Sequence, residues 1–386
     1  MKHPVQRLSL SSNGLLYAAA SNRIQSFSTS SGELVHEFGL VPATNPAELE
    51  EQPKKKQKIN ALSKSTIRTL NSSRDGKYVV VSTDEDKSVV VFDSDLQHLS
   101  TRFFPKRPSA LKISDENNNI VLGDKFGDVY SVPLQAPKEA AKLSTGNSDS
   151  ENGSDLEPIL GHVSMLVDLE IVKNSNGSQF IITSDRDEHV RVTRYPESYI
   201  IERFCFGHEQ YVSQLLVPEW DESTLISGGG DDFLLRWDWT NGEIIEKIDI
   251  KSFLYPDLND NVKSEIEIAI SGLWQVPKSQ IILAYDEKAK KLLVLKLGDK
   301  TKLLASINKD ILDLATISSR NDIWISSQDD SEVQISSYNV NEHGELLETN
   351  KDAAAKISQA VSFEIQSEGD IDGIHPINLL RKHAEH

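Results

Sequence analysis

Apolar residues in this chain come in short bursts that alternate with polar ones and stop at turn residues, the period-two pattern of half-buried strands. Leu225 to Ser227 runs into Gly228, Gly229, Gly230, Asp231 and Asp232; Leu234 to Trp239 follows, then Asn241 and Gly242 as a two-residue hairpin turn, then Glu243 to Ile248. The texture repeats. Gly161 and His162 return as Gly207 and His208 46 residues later, and each pair is followed within five residues by Val-Ser. A second mark is an Asp five residues before an apolar residue: Asp84 to Val89, Asp124 to Val129, Asp185 to Val190, with Gly230 to Leu235 keeping the spacing without the acid. Successive marks stand 40, 61 and 45 residues apart, and the long interval contains 135–157, rich in Lys, Ser, Asn, Asp and Glu. Without that insertion the period is about 40. Helical periodicity is nearly absent; only Lys138 to Lys142 and Lys351 to Ile357 favour helix.

Four short strands per repeat, opened by Gly-His and closed by Trp237-Asp238, predict an all-β fold, a WD-repeat β-propeller. Phe92-Asp93 is a weaker copy of the closing pair. Setting aside 41–62, 135–157 and 341 onward leaves about 295 residues, enough for seven blades. The expected propeller occupies 3–340, with the two polar insertions, and 341–386 is a C-terminal segment available for ring closure or partner contact. Expected blades are Val5–Phe38, Ile67–Phe103, Ala110–Val132 with Pro158–Leu160, Met165–Phe204, Val212–Ile248, Ile266–Ile307 and Ile311–Val340. A ring must close, because open sheets leave unsatisfied edges. Either Val5–Leu10 or Ile371–Leu380 would supply the closing strand.

Composition narrows the function. With 386 residues, 38% hydrophobic and 26% charged, the chain is ordinary globular material with length to bury a core. No run approaches the ~18 apolar residues of a membrane span. Lys2 and Arg7 precede Leu15, Leu16 and Tyr17, but that apolar run is shorter than the ~7–15 residues of a secretory signal. The single cysteine, Cys205, cannot form an internal disulfide, which fits a reducing compartment. A formal charge of −18 opposes free-standing binding to nucleic acid or an anionic membrane.

Candidate chemistry resolves mostly into structure. His162 and His208 would be blade histidines tied to turn aspartates, with Asp185, Asp187, Trp237 and Asp238 as further blade residues. Cys205 reads as packing between Phe204 and Phe206. Gly228 to Gly230 lack the Lys-Ser/Thr of a phosphate loop and read as turn glycines. No catalytic set and no metal-ligand cluster emerges, so no catalytic residue is assigned. Lys54, Lys55, Lys56 and Lys58 lie in an inter-blade loop and read as a nuclear-import signal, a solvated loop or a nucleic-acid patch. Between Asp185 and Arg194 six charged side chains and His189 surround a strand. Arg191 alternates with Val190 and Val192, so its guanidinium points off their face, available to a carboxylate on another protein.

The blocks Asp124 to Ser131, Leu160 to Leu166, Asp185 to Val192 and Phe204 to His208 with Val212 and Ser213 resemble the WD-repeat, non-catalytic subunit of tRNA (guanine-N7-)-methyltransferase. The tail Arg381, Lys382, His383 is similar to that of fungal members. The resemblance implies a scaffold that binds, stabilises and activates a Rossmann-type catalytic subunit in a heterodimer. No cofactor is expected on this chain; S-adenosylmethionine would sit on the partner, and tRNA would be held mainly by the partner. It also implies a subunit contact around Arg191, with Arg186, Glu188 and His189 as neighbours. Nuclear localisation, with a cytoplasmic pool also compatible, completes the expectation. The rival is a WD adaptor for another complex, a ubiquitin-ligase substrate receptor or a chromatin scaffold, and an independent enzyme is a third class.

Overall fold

The apolar bursts become the two middle strands of four-stranded sheets. Tyr78–Thr83 and Ser88–Asp93, for example, are buried along nearly their whole length, whereas the outer strand His98–Phe103 is largely open. A computed structural model describes residues 4–39, 66–135, 156–361 and 377–382, apart from 115, 117, 318, 320, 321, 330 and 331. Lys54, Lys55, Lys56 and Lys58, the 138–142 patch and His383 lie outside the described residues.

Seven antiparallel sheets are present, each with its four strands hydrogen-bonded in chain order. They are blades spanning 7–39, 67–103, 108–161, 166–205, 212–249, 270–308 and 311–349. The first strand of each blade touches the first strands of both neighbours, and Arg7–Leu10 meets Ile311–Ala315 to complete the circle. Seven apolar clusters fill the seams between adjacent blades, so both faces of every middle strand are covered. Each seam buries apolar area that no blade could bury alone.

Ring closure differs from expectation. Arg7–Leu10 pairs with Leu15–Ala20 inside the first blade, and the last blade draws all four strands from the C-terminal side. Among the described residues no strand is exchanged between blades. The seam between blades 7 and 1 is held by Leu8 N donating to Asp313 Oδ2 at 2.7 Å and by Ser326 Oγ donating to the Val5 carbonyl at 2.8 Å. Among the described residues there are three α-helices, α1 (Ile250–Leu254), α2 (Asp260–Ser264) and α3 (Lys351–Ala360). Helix α3 carries Ala353, Ala354 and Ile357 into the closing seam, and Lys356 Nζ reaches the Ser31 carbonyl of blade 1. The propeller therefore extends past the expected boundary at 340: Leu346–Thr349 is the outer strand of blade 7. It was missed because an outer strand, exposed on one side, carries little apolar signal. Helices α1 and α2, between blades 5 and 6, were also unexpected; each spans five residues, too short for a periodic pattern.

Blade 3 keeps its polar insertion between its third and fourth strands, and the fourth is only Leu160–Gly161. Gly228 and Gly229 end a buried strand rather than form a turn; a Cβ on Gly229 would stand 1.9 Å from the Tyr211 carbonyl oxygen.

The first strands enclose a polar channel of about 800 Å³. In it Asp168 accepts from Leu215 N of the next blade at 2.8 Å. Removal from water pushes the Asp168 carboxyl up to about 7; Lys112 pulls it down and Glu170 pushes it up. The folded chain thus holds this proton more tightly than the unfolded chain does. The stabilisation it gives is complete below the ordinary carboxylate value near 4 and is lost as pH rises through about 7. Denaturant titrations of wild type and Asp168→Asn should therefore diverge with pH. Wild type is expected to lose on the order of 2–3 kcal/mol relative to the variant between pH 5 and pH 8. Parallel pH profiles would refute the assignment.

Candidate partner-docking face

The turn between the second and third strands of blade 4 is built on Asp185. Its Oδ1 accepts from the amides of Asp187 (2.8 Å) and His189 (3.0 Å), while Oδ2 meets His162 Nδ1 at 2.9 Å. His162 Nε2 lies 2.7 Å from Thr183 Oγ1. Burial lowers the His162 pKa against the pull of Asp185. Asp185 itself is held below the usual range: burial raises it, but hydrogen bonds from His162 and the His189 amide outweigh that. Blade 5 runs the equivalent chain of donors. Trp237 Nε1 donates to Ser227 Oγ (2.8 Å), Ser227 to His208 Nε2 (2.7 Å) and His208 Nδ1 to Asp231 Oδ2 (2.8 Å). Asp238 lies outside this chain and caps its own turn through Thr240.

The two blades differ in which aspartate the histidine takes. Strand register sets Thr183 opposite Arg191 and Ser227 opposite Leu235, so Asp187 is level with Asp231 and Thr193 with Trp237. Yet His162 takes Asp185, two residues after Thr183, where His208 takes Asp231, four residues after Ser227. Asp187 is thereby released, and its carboxylate binds Ser164 and Lys382 instead.

Arg191 requires a correction. Alternation does turn it off the face of Val190 and Val192, but that opposite face is the seam with blade 3, and Arg191 is only 6% exposed. Its Nη1 donates to the Gly161 carbonyl at 2.9 Å, and its Nε and Nη2 have no hydrogen-bond partner among the described residues. A middle strand of a propeller has no solvent face, so alternation alone could not place this guanidinium in water. Of its neighbours, Arg186 Nε is taken by the Leu380 carbonyl, Glu188 is exposed at φ 61°, and His189 is half-buried.

Above Arg191 lies an arc of exposed apolar side chains that the sequence reading did not single out as a site. Phe126, on the blade 3 turn, lies under the Lys106 ammonium at 4.2 Å. Gly127, at φ 98°, lets that turn press on the loop carrying Val163; a Cβ there would meet the His162 and Ser164 carbonyl oxygens at 2.5 and 2.6 Å. Val163 itself is fully exposed. Next along the rim, Phe204 and Phe206 stack at 5.5 Å, with His189 edge-on to both. Gly207 then abuts Ile244 of blade 5, which is also exposed. Phe206 is 69% exposed. A signal was available: with Cys205 read as a packing residue, its chain neighbours Phe204 and Phe206 fall on the opposite side, and both are exposed. Burial pushes the Cys205 thiol up to about 11, with Arg203 opposing, so it is a packing group and not a nucleophile. Among the described residues no group of three or more His, Cys, Asp or Glu could hold a metal ion.

Comparison with known proteins follows the same blades. The family described as the tRNA methyltransferase TRM82 WD40 domain matches residues 16–155 and 135–353. Curated relatives named tRNA (guanine-N(7)-)-methyltransferase non-catalytic subunit TRM82 include one from Kluyveromyces lactis, 30% identical with the whole of both chains covered. The Debaryomyces hansenii protein of that name is 31% identical, also with full coverage of both. The one from Saccharomyces cerevisiae is 32% identical over 83% of this chain and 77% of its own. Among solved structures, the RRP9 WD40 repeats superpose with a TM-score of 0.63 at 17% identity, covering 85% of this chain and 88% of that one, a likeness of fold.

Proposed function

This chain belongs to the TRM82 WD40 family, the non-catalytic subunits of tRNA (guanine-N(7)-)-methyltransferase, and on that footing we propose that it grips its catalytic partner through the arc from Phe126 to Ile244. It is a scaffold in a complex with a catalytic tRNA methyltransferase subunit and is not itself the enzyme. The observation that carries the docking assignment is the set of solvent-facing aromatic and aliphatic side chains at Phe126, Val163 and Phe206, ringed by Lys106, Glu188 and His189. Single exposed hydrophobics are common on any surface, but several on neighbouring turns of one rim, bordered by polar groups, have the composition of a protein interface. Buried aromatic anchors would supply most of the affinity and the charged rim the register.

The partner in this reading is a Rossmann-type enzyme that holds S-adenosylmethionine, forms a heterodimer with this chain and contacts most of the tRNA. The charge of −18 suits a basic enzyme as counterpart and disfavours independent RNA binding. Arg191 acts from beneath the arc as a positioning residue, holding the Gly161 carbonyl and so the loop that presents Val163. Lys54, Lys55, Lys56 and Lys58 direct the chain to the nucleus. Binding only the folded enzyme stabilises it by about 2.7 kcal/mol at a hundredfold excess over Kd. Co-expression of the two subunits should yield a one-to-one complex by light scattering. Such a complex should form N7-methylguanosine in tRNA, while the purified chain alone forms none. A chain that stays monomeric beside the enzyme, or methylates unaided, overturns the proposal.

A further inference from the structure

The C-terminal segment lies on the same side of the wheel as the docking arc. A short 3-10 turn, Ile377–Leu380, ends at the Leu380 carbonyl, which accepts from Arg186 Nε of blade 4 at 2.9 Å. Arg381 then reaches the next two blades. Its Nη2 donates to the Gly230 carbonyl of blade 5 at 2.6 Å and to the Ile268 carbonyl before blade 6 at 2.9 Å. Its Nε lies 3.6 Å from Glu267, and its guanidinium faces the Tyr211 ring at 5.9 Å. The side chain is 14% exposed, so this is an enclosed, multiply bonded anchor. Lys382 Nζ closes the run on Asp187 Oδ1 at 2.5 Å.

Two features show that the site is built for the tail. Arg186 and Gly230 occupy the same position in successive turns, three residues after Thr183 and Ser227, and the tail bonds both. Asp187, level with the aspartate that holds the histidine in blade 5, is spared that duty in blade 4 because Asp185 takes it. Its carboxylate is thereby left for Lys382. The Lys382 pair is exposed and contributes little by itself. Arg381 is the fastener.

We propose that Ile377–Lys382 is an intramolecular strap that completes the docking face, fastening the Asp185–His189 turn to blades 5 and 6 so that Glu188 and His189 meet the catalytic subunit in one fixed arrangement. This rests on the docking assignment above. Both ends of the turn are already held by Asp185; the strap adds restraint at Arg186 and Asp187, the two residues leading to Glu188. Pre-fastening a surface spares the partner the cost of ordering it.

The test uses the full-length chain with Arg381→Glu, which sets a carboxylate against two carbonyl oxygens and Glu267, and with Arg381→Lys as the conservative variant. Amide exchange at 185–189 and 229–232 reports the strap, and Kd for the purified catalytic subunit reports its consequence. Arg381→Glu is expected to speed exchange in both turns and to weaken binding about tenfold, with the melting temperature close to wild type. Arg381→Lys is expected to fall between the two. Unchanged exchange overturns the strap, and tighter or unchanged binding beside faster exchange overturns its role in docking. If wild type itself fails to bind the enzyme, the docking assignment falls and with it the strap's role, while the exchange data still decide whether the strap exists.

Discussion

Replacing Trp237 with alanine is expected to cost about 3–5 kcal/mol of folding stability. The indole is fully buried in the cluster that holds Cys205, Val212, Leu225 and Leu235, and the Gly207 Cα lies close enough that a Cβ there would stand 3.1 Å from the ring. Truncation therefore empties a site whose walls are strands fixed by their own ladders and cannot collapse to fill it. The polar loss adds to the cavity. Trp237 Nε1 starts the donor chain through Ser227 and His208 to Asp231, all of it buried. Trp237→Phe keeps most of the volume and removes only that first donor, so it should cost about 1–2 kcal/mol. The ratio of the two losses, read from denaturant midpoints, separates packing from hydrogen bonding. An alanine variant within about 1 kcal/mol of wild type would refute this account of the seam.

The repeat was legible wherever a blade carried its own punctuation. Blade 2 was bounded at Ile67 and Phe103 from pattern alone, as found, and blade 5 within a residue, because Gly-His, the glycine turn and Trp-Asp mark its ends. Blade 7 has none of these marks, and its polar outer strand after Gly344 was lost. Ring closure was not legible, since Arg7–Leu10 alternates in the same way whichever blade it joins. Pairing between strands is a long-range choice that local pattern does not encode. Arg191 shows the same limit at one residue: alternation gives the side of the strand, and only the neighbouring blade decides whether that side is wet. The strap left no trace in the pattern, because Arg381 binds backbone carbonyls 151 and 113 residues away.

Assembly should fail when charge is placed on the docking arc. Val163 and Phe206 are exposed enough that aspartate at either position disturbs no seam, and Phe206 touches only the Phe204 and His189 rings among the aromatic contacts of this rim. A partner side chain packed on them would meet a carboxylate that must be stripped of water without a counter-charge. Truncating a central anchor costs 2 kcal/mol or more, and an unpaired buried charge adds to that. The double variant Val163→Asp, Phe206→Asp is therefore expected to bind at least about a thousandfold more weakly. Arg23 or Lys77, charged groups on blades 1 and 2, serve as controls whose substitution by alanine should leave affinity unchanged. The decisive measurement is calorimetric titration of the purified catalytic subunit into wild type and into this double variant, with circular dichroism and melting temperature recorded for both. Tight one-to-one binding to wild type and none to an equally folded double variant is the expected result. Equal affinity for the two would contradict the claim that this face of the wheel holds the enzyme.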